Sequence, residues 1–359
     1  MLEKSVVSEQ DIRTILKEKY GICKIEDITS LKGGSANCYR IQASEGQFLL
    51  KEFQSKYSVD DVKTEPKITE FVRTRGIPAA NFIRTITGEY VWQFRNRAFH
   101  LQEFVEGTIF PQNAAPDWLL WNSAILLGQV HRVLLNFPLM REGFGSEWFG
   151  QWDVDESKQR YSILIKAAEQ LPRGEKREKI LADLHYKIEN LSKAACVCID
   201  PDRLTRRNSH GDYHILQLIC GVSSVRAIID FSSACGLPVI FEIIRSYTYA
   251  DSKCANAQID VSNLKRYIIL YLKNGELNRY DLEMMPYLYY LQRLISERRT
   301  CRKKLCPFRY FFRYEVEHLL ARCGFRVAEL FGDFDKSPLT DDSPEMIFIA
   351  EKCENIVDV

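Results

Sequence analysis

Ser209-His210-Gly211-Asp212-Tyr213-His214-Ile215-Leu216-Gln217-Leu218-Ile219, followed by Val225-Arg226-Ala227-Ile228-Ile229-Asp230-Phe231, is the stretch whose reading decides the fold. Two strand-like apolar runs meet across Gly221-Val222-Ser223-Ser224, and an acid or amide stands at the end of each, so the pattern predicts a hairpin that presents oxygen ligands. Phosphoryl transfer needs a carboxylate to orient the attacking hydroxyl, and oxygen ligands that hold magnesium against the nucleotide phosphates. Asp212, Gln217 and Asp230 supply such a set. A turn aspartate bonding its own loop is the plainer reading of Asp212 taken alone; Gln217 and Asp230 in register favour the functional one.

The spacing is close to the catalytic-loop and metal-loop pairing of kinases, with His-Gly-Asp where protein kinases have His-Arg-Asp. It resembles the aminoglycoside phosphotransferase family, whose pattern reads His-Gly-Asp-x-His-x-x-Asn and then Ile-Asp-Phe. Gln217 departs from that pattern, standing where most of the family has Asn; the related maltokinases look similar here, and an amide carbonyl of either length coordinates a hard cation. The resemblance implies Asp212 as the acceptor of the hydroxyl proton, Gln217 and Asp230 as ligands of Mg2+, and His210 as a brace for the loop. His214 is left open.

Bulk composition is consistent with such a protein and excludes little else. At 359 residues the chain suits two or three domains, and 46% hydrophobic with 27% charged residues predicts a packed soluble protein. Forty-nine Lys and Arg against 48 Asp and Glu leave a formal charge of +1, which points to neither a nucleic acid nor a membrane partner. Met1-Leu2-Glu3-Lys4 opens no apolar signal segment, and no run approaches the ~18 apolar residues of a membrane span, so a cytoplasmic location is expected. Eleven cysteines without a Cys-x-x-Cys pair predict reduced, mostly buried thiols.

Upstream, Gly33-Gly34-Ser35-Ala36-Asn37 lies between strand-like segments, where two glycines let backbone amides approach a phosphate. Lys51 stands inside the apolar run Phe48 to Phe53, where a charge is costly unless paired; a lysine blunting a sheet edge is the alternative. In the resembling family this lysine bridges the nucleotide phosphates and a helix glutamate. Glu65 matches best, although Pro66 confines it to the start of its helix, and Glu70 is the second candidate. A hairpin around Arg95-Asn96-Arg97 ends at Val105-Glu106-Gly107. The resemblance makes this segment the hinge, with main-chain atoms of Glu103 and Val105 holding adenine. Gly33, Gly34, Ser35, Asn37, Lys51, Glu65, Glu103 and Val105 thus form the candidate nucleotide site.

From Asp117 the periodicity turns helical. His131 is expected in the core, and Gly236-Leu237-Pro238 as the opening of a further helix; the resemblance, whose members commonly have an Asp anchoring the catalytic loop at the place of Glu242, implies a structural role for Glu242. Residues 307–353 resemble the closing helix and strand hairpin of class I S-adenosylmethionine-dependent methyltransferases, yet no cofactor loop in strand context lies upstream. The expectation is therefore an α+β, two-lobed protein-kinase-like fold. Residues 1–104 form a nucleotide-binding lobe, 105–304 a helical lobe with the catalytic and metal loops, and 305–359 an extension that could dock a protein partner. The expected activity is ATP-dependent phosphorylation of a small-molecule hydroxyl on an aminoglycoside, sugar, homoserine or amino alcohol. A nucleotide-binding pseudokinase acting as scaffold or coat component, and an accessory chain of a methyltransferase system, are the alternatives.

Overall fold

Alternating burial along the first hundred residues resolves into one antiparallel sheet. A computed structural model describes residues 3–31, 36–143, 153–256, 258–295, 313–322, 324–332, 336–340, 343 and 346–352. It divides into two units, Met1–Lys303 and Lys304–Val359. Helix α1 (Glu9–Tyr20) begins where the Ser8 hydroxyl accepts the Asp11 N–H and the Asp11 carboxylate accepts the Ser8 N–H. It stops at Gly21, held at φ 70° in the left-handed region. Ile12, Ile15 and Leu16 pack on the sheet with Ile41, Leu50 and Phe99.

Strands β1 (Ile25–Leu31), β2 (Asn37–Ala43) and β3 (Gly46–Glu52) form a meander. Strand β6 (Arg97–Glu103) lies against β3 and also pairs with β4 (Phe82–Ile83) and β5 (Val91–Phe94). The β5–β6 turn places Arg95 and Asn96 at φ 44° and 61°, the two positive values that a tight hairpin of this hand requires. Strand β3 is bonded on both sides, so Lys51 is not an edge-strand lysine.

Helices α2 (Val59–Val62) and α3 (Thr64–Arg73) cross from the sheet toward the helical part. Pro66 sits in the first turn of α3, where its missing N–H removes no helical bond, so Glu65 is itself helical. Beyond residue 116 come α4 (Asp117–Leu134), α5 (Val154–Glu169), α6 (Glu175–Ala194), α7 (Val239–Ala250), α8 (Val261–Tyr271) and α9 (Arg279–Ile295). Leu127 and Val130 of α4, Ile243 and Tyr247 of α7, and Leu288 of α9 share the main core. Tyr287, Tyr289 and Tyr290 pack half-buried against it.

Between α6 and α7 run β7 (Arg206–Ser209), β8 (Leu218–Cys220), β9 (Val225–Ile228) and β10 (Cys235–Pro238). The segment expected to open a helix at Gly236 is instead β10, paired antiparallel with β7, and α7 starts only at Val239. Pro238 accounts for the difference, because it holds Leu237 in extended geometry. Cys220 and Cys235 are buried, whereas Cys23, Cys196 and Cys198 are exposed, against the expectation of mostly buried thiols; these three lie just past the ends of α1 and α6. None of the described helices is long and apolar enough to cross a membrane. In the second unit α10 (Arg313–Arg322) precedes the antiparallel pair β11 (Phe325–Phe331) and β12 (Ile347–Lys352).

One buried polar network ties these elements together. Glu242 of α7 accepts from His131 Nε2 at 3.0 Å and from the Tyr213 N–H at 3.4 Å; His131 also meets the Ser209 hydroxyl at 3.1 Å and the Tyr271 hydroxyl at 2.9 Å. Burial would raise the Glu242 pKa, but the hydrogen bond and charge of His131, with His210 and the Tyr213 N–H, together leave the carboxyl below its ordinary value. Glu242→Ala removes the acceptor for two buried donors and is expected to destabilise the protein by about 3 kcal/mol or more in urea unfolding. Glu242→Gln, which keeps one acceptor oxygen, should cost less; equal midpoints for both variants and the parent would contradict this.

Candidate active site

Lys51 projects from the interior strand β3 with its side chain one-tenth exposed, and its ammonium finds two carboxylates. Glu65 of α3 lies at 3.3 Å and Asp230, just past β9, at 2.8 Å. Burial alone would lower the Lys51 pKa, but the charges of Glu65 and Asp230 raise it above its ordinary value. Burial likewise opposes the charge on Glu65, and Lys51 overcomes it, bringing the pKa down to about 2. His100, opposite Lys51 on β6, meets Glu65 Oε2 at 3.2 Å; its fully buried ring has a lowered pKa, chiefly from burial. Glu70, the second candidate for Lys51, pairs instead with Arg84 at 3.3 Å.

Asp212 stands on the turn between β7 and β8, about a third of its side chain exposed. His210 braces that turn, its Nε2 against the Ile229 carbonyl at 2.9 Å and its Nδ1 accepting the Asp212 N–H at 3.3 Å. Gly211, at φ 82°, lies so close to the segment after Asp230 that a Cβ there would fall 1.9 Å from the Ser233 carbonyl oxygen. The Asp212 carboxylate takes an ion pair from Arg245 of α7, the Gln217 amide N–H at 3.1 Å, and His214 Nε2 at 3.4 Å. Burial opposes its ionisation; the His214 hydrogen bond and the Arg245 charge prevail, holding the carboxyl well below the usual carboxylate range. Asp230 adopts left-handed backbone at φ 63°, and Ser232 donates to its Oδ1 at 2.8 Å.

The segment after β6 is tied to both parts. The Glu103 N–H bonds Asn81 O at 2.8 Å, and the Phe104 N–H bonds Gln47 O at 2.9 Å. Thr108 exchanges backbone hydrogen bonds of 2.8 and 2.9 Å with Cys220, and a Cβ at Gly107 would meet the Cys220 carbonyl oxygen at 2.6 Å. Val105 lies half-buried between these anchors. Asn37, first residue of β2, donates from its side chain to the Glu3 carbonyl at 3.2 Å. Gly33, Gly34 and Ser35 lie outside the described residues.

This geometry links a paired lysine to a left-handed aspartate, and the segment after that aspartate to the loop that carries Asp212. Residues 27–265 match the phosphotransferase enzyme family, APH. The chain belongs to that family. Solved structures share its two-lobed fold at low identity. An amicoumacin kinase in complex with AMP-PNP, Ca2+ and Ami aligns at TM-score 0.57 and 12% identity over 80% of this chain and 84% of that one. Spectinomycin phosphotransferase APH(9)-Ia in complex with ADP and spectinomycin aligns at 0.52 and 17%, over 82% and 91%. A microcompartment-associated aminopropanol kinase aligns at 0.52 and 15%, over 80% and 87%. No curated protein sequence matches.

Two side chains beside Lys51, Glu65 and Asp212 escape sequence reasoning. His100 had a visible signal, a histidine inside the apolar run of β6, but its register opposite Lys51 emerges only from the sheet. Arg245 follows Glu242 by three residues and so shares its face of α7, a spacing that could have placed it beside the loop Glu242 anchors.

Two outcomes test the geometry. Because the Glu65 pKa falls on folding, its contribution is present above about pH 4.5 and is lost as pH drops toward about 2. The stability of Glu65→Gln, followed by urea unfolding, should accordingly depend less on pH across that window than the parent's; parallel curves would refute the ion pair's role. Gly211→Ala must push Ser233 away and misplace Asp212, so turnover should fall about 10²-fold, the scale of an ångström error at a reacting group. Undiminished turnover would show that the loop tolerates the shift.

Proposed function

We propose that this small-molecule phosphotransferase transfers the γ-phosphoryl group of ATP to a hydroxyl of a small acceptor. Residues 1–104 would hold the nucleotide, and residues 105–304 would carry the reacting loops. The observation behind this reading is one continuous chain of contacts: Glu65 to Lys51, Lys51 to Asp230, and the segment after Asp230 pressed on Gly211 beside Asp212. A phosphate-binding cation, a metal-facing acid and an acceptor-facing acid thereby share one cleft.

In the reaction the acceptor oxygen bonds the γ-phosphorus as the bond to the β–γ bridging oxygen breaks, and the hydroxyl proton passes to Asp212. A carboxyl held so far below its ordinary pKa is a weak base, which suits a loose transition state in which the hydroxyl loses its proton late. Asp212 then acts chiefly by aligning the hydroxyl. Lys51 holds phosphate oxygens, and Glu65 with His100 fixes the direction of its ammonium. Glu103 spends its N–H on Asn81, so its carbonyl is the atom available to adenine, with the Val105 backbone beside it. The side chain of Asn37 is likewise engaged, with the Glu3 carbonyl.

Magnesium fits the donor set. Asp230 offers a one-third exposed carboxylate, and Gln217 an amide carbonyl on the Asp212 side. Once bound, the ion would supply charge neutralisation at the phosphates.

ATP with magnesium should raise the melting temperature, since a ligand at 100 times its dissociation constant adds about 2.7 kcal/mol to the folded state. Asp230→Ala should abolish the magnesium-dependent part of that shift. Asp212→Asn should keep the shift while ADP release with a hydroxyl-compound panel falls by about 10²-fold or more. Turnover at the parental rate in Asp212→Asn would sink the assignment.

A further inference from the structure

Arg245 is the permanent cation paired with Asp212, the residue at the centre of the scheme above. We propose that Arg245 sets the acceptor class: the second substrate is an alcohol that is uncharged or anionic next to its reacting hydroxyl, such as a sugar or hydroxy acid, rather than an amino alcohol or amino sugar. This rests on Asp212 being the acceptor-facing acid.

The guanidinium is fixed. It packs 4.9 Å from the ring centroid of Tyr249 and 5.9 Å from that of Phe241, and Tyr249 in turn stacks on His214 with centroids 4.4 Å apart and planes 9° from parallel. Its side chain is 16% exposed and ion-paired with Asp212 Oδ1, while Gln217 and His214 occupy Oδ2. An arginine cannot shed its charge in a protein. The carboxylate that faces the acceptor is therefore already neutralised by a permanent cation.

The consequence for an ammonium-bearing acceptor is large. An ammonium about 4 Å from a lone carboxylate in a half-buried site is favoured by a factor on the order of 10³. A guanidinium at bonding distance from the same carboxylate cancels most of that factor. A guanidinium carries five N–H donors, more than the one carboxylate oxygen it meets here can take up. Hydroxyl and carboxylate oxygens can take up such donors; an ammonium, which has no acceptor atom, cannot.

Matched alcohols separate the possibilities: glycerol, glycerate and 3-amino-1,2-propanediol, together with glucose and glucosamine, each with ATP and magnesium and read as ADP release. The full-length parent should show kcat/KM at least about 10-fold higher for the uncharged or anionic members of a set than for the cationic one. Arg245→Gln should narrow that ratio about 10-fold even if overall turnover drops, whereas Arg245→Lys, which retains the charge, should preserve most of it. A parental preference for the cationic members overturns the proposal. So does an unchanged ratio in Arg245→Gln, or failure of every uncharged and anionic alcohol in a parent that still binds ATP. Absence of any ATP-induced thermal shift in the parent would instead remove the phosphotransferase reading, and the proposal with it.

Discussion

A lysine ammonium cannot remain in the interior of a five-strand path of hydrogen-bonded β-structure unless fixed negative charge comes to it, and most of this fold can be read as the means of bringing that charge. Glu65 arrives on α3, whose first turn accommodates Pro66 because no helical bond is lost there. Asp230 arrives from the opposite direction, at the end of β9, in a backbone conformation that few residues other than glycine and the short polar ones adopt. Buried ion pairs contribute little net stability, since desolvation offsets attraction. What this one provides is geometry: three elements separated by up to 179 positions in sequence meet at one nitrogen atom.

A second polar network holds the turn that carries Asp212. Glu242, His131, Ser209 and Tyr271 are all buried and mutually bonded, and through the Tyr213 N–H they grip the residue next to Asp212. Gly211 completes the clamp from the other side, pressed against Ser233 at a separation that no side chain would permit. Short turns placed between such anchors carry reacting groups with little freedom, which is what positioning catalysis requires. The segment after β6 is held in the same way, since Gly107 and Thr108 are stitched to Cys220.

Much of the architecture was legible in the sequence because its signals are local. The capping box at Ser8, the positive-φ turn at Arg95 and Asn96, the β8–β9 hairpin and the helical periodicity from Asp117 each depend on a few adjacent residues. The errors have a common physical origin. Gly236 to Pro238 form a strand because β7 lies there to pair with them, and nothing in that stretch announces β7. His100 and Arg245 escaped notice because their significance is a partner's position across a sheet or on the far side of a helix. The expectation of mostly buried thiols fails at Cys23, Cys196 and Cys198, which sit just past the ends of helices.

Gln217 looks different once its surroundings are known. As a departure from the commoner Asn it suggested only a longer reach toward a cation. In the fold its amide N–H donates to Asp212 Oδ2 at 3.1 Å, on the oxygen that His214 also approaches, while Arg245 holds the other. A side chain shorter by one methylene would surrender either that bond or the position from which its carbonyl can meet a metal. The longer amide and the arginine are thus two parts of one device, a carboxylate surrounded by donors and stripped of net charge. Such a carboxylate is poorly suited to attracting a cationic acceptor and well suited to aligning a hydroxyl, so the residue that breaks the family pattern and the residue that the pattern does not mention have the same chemical sense.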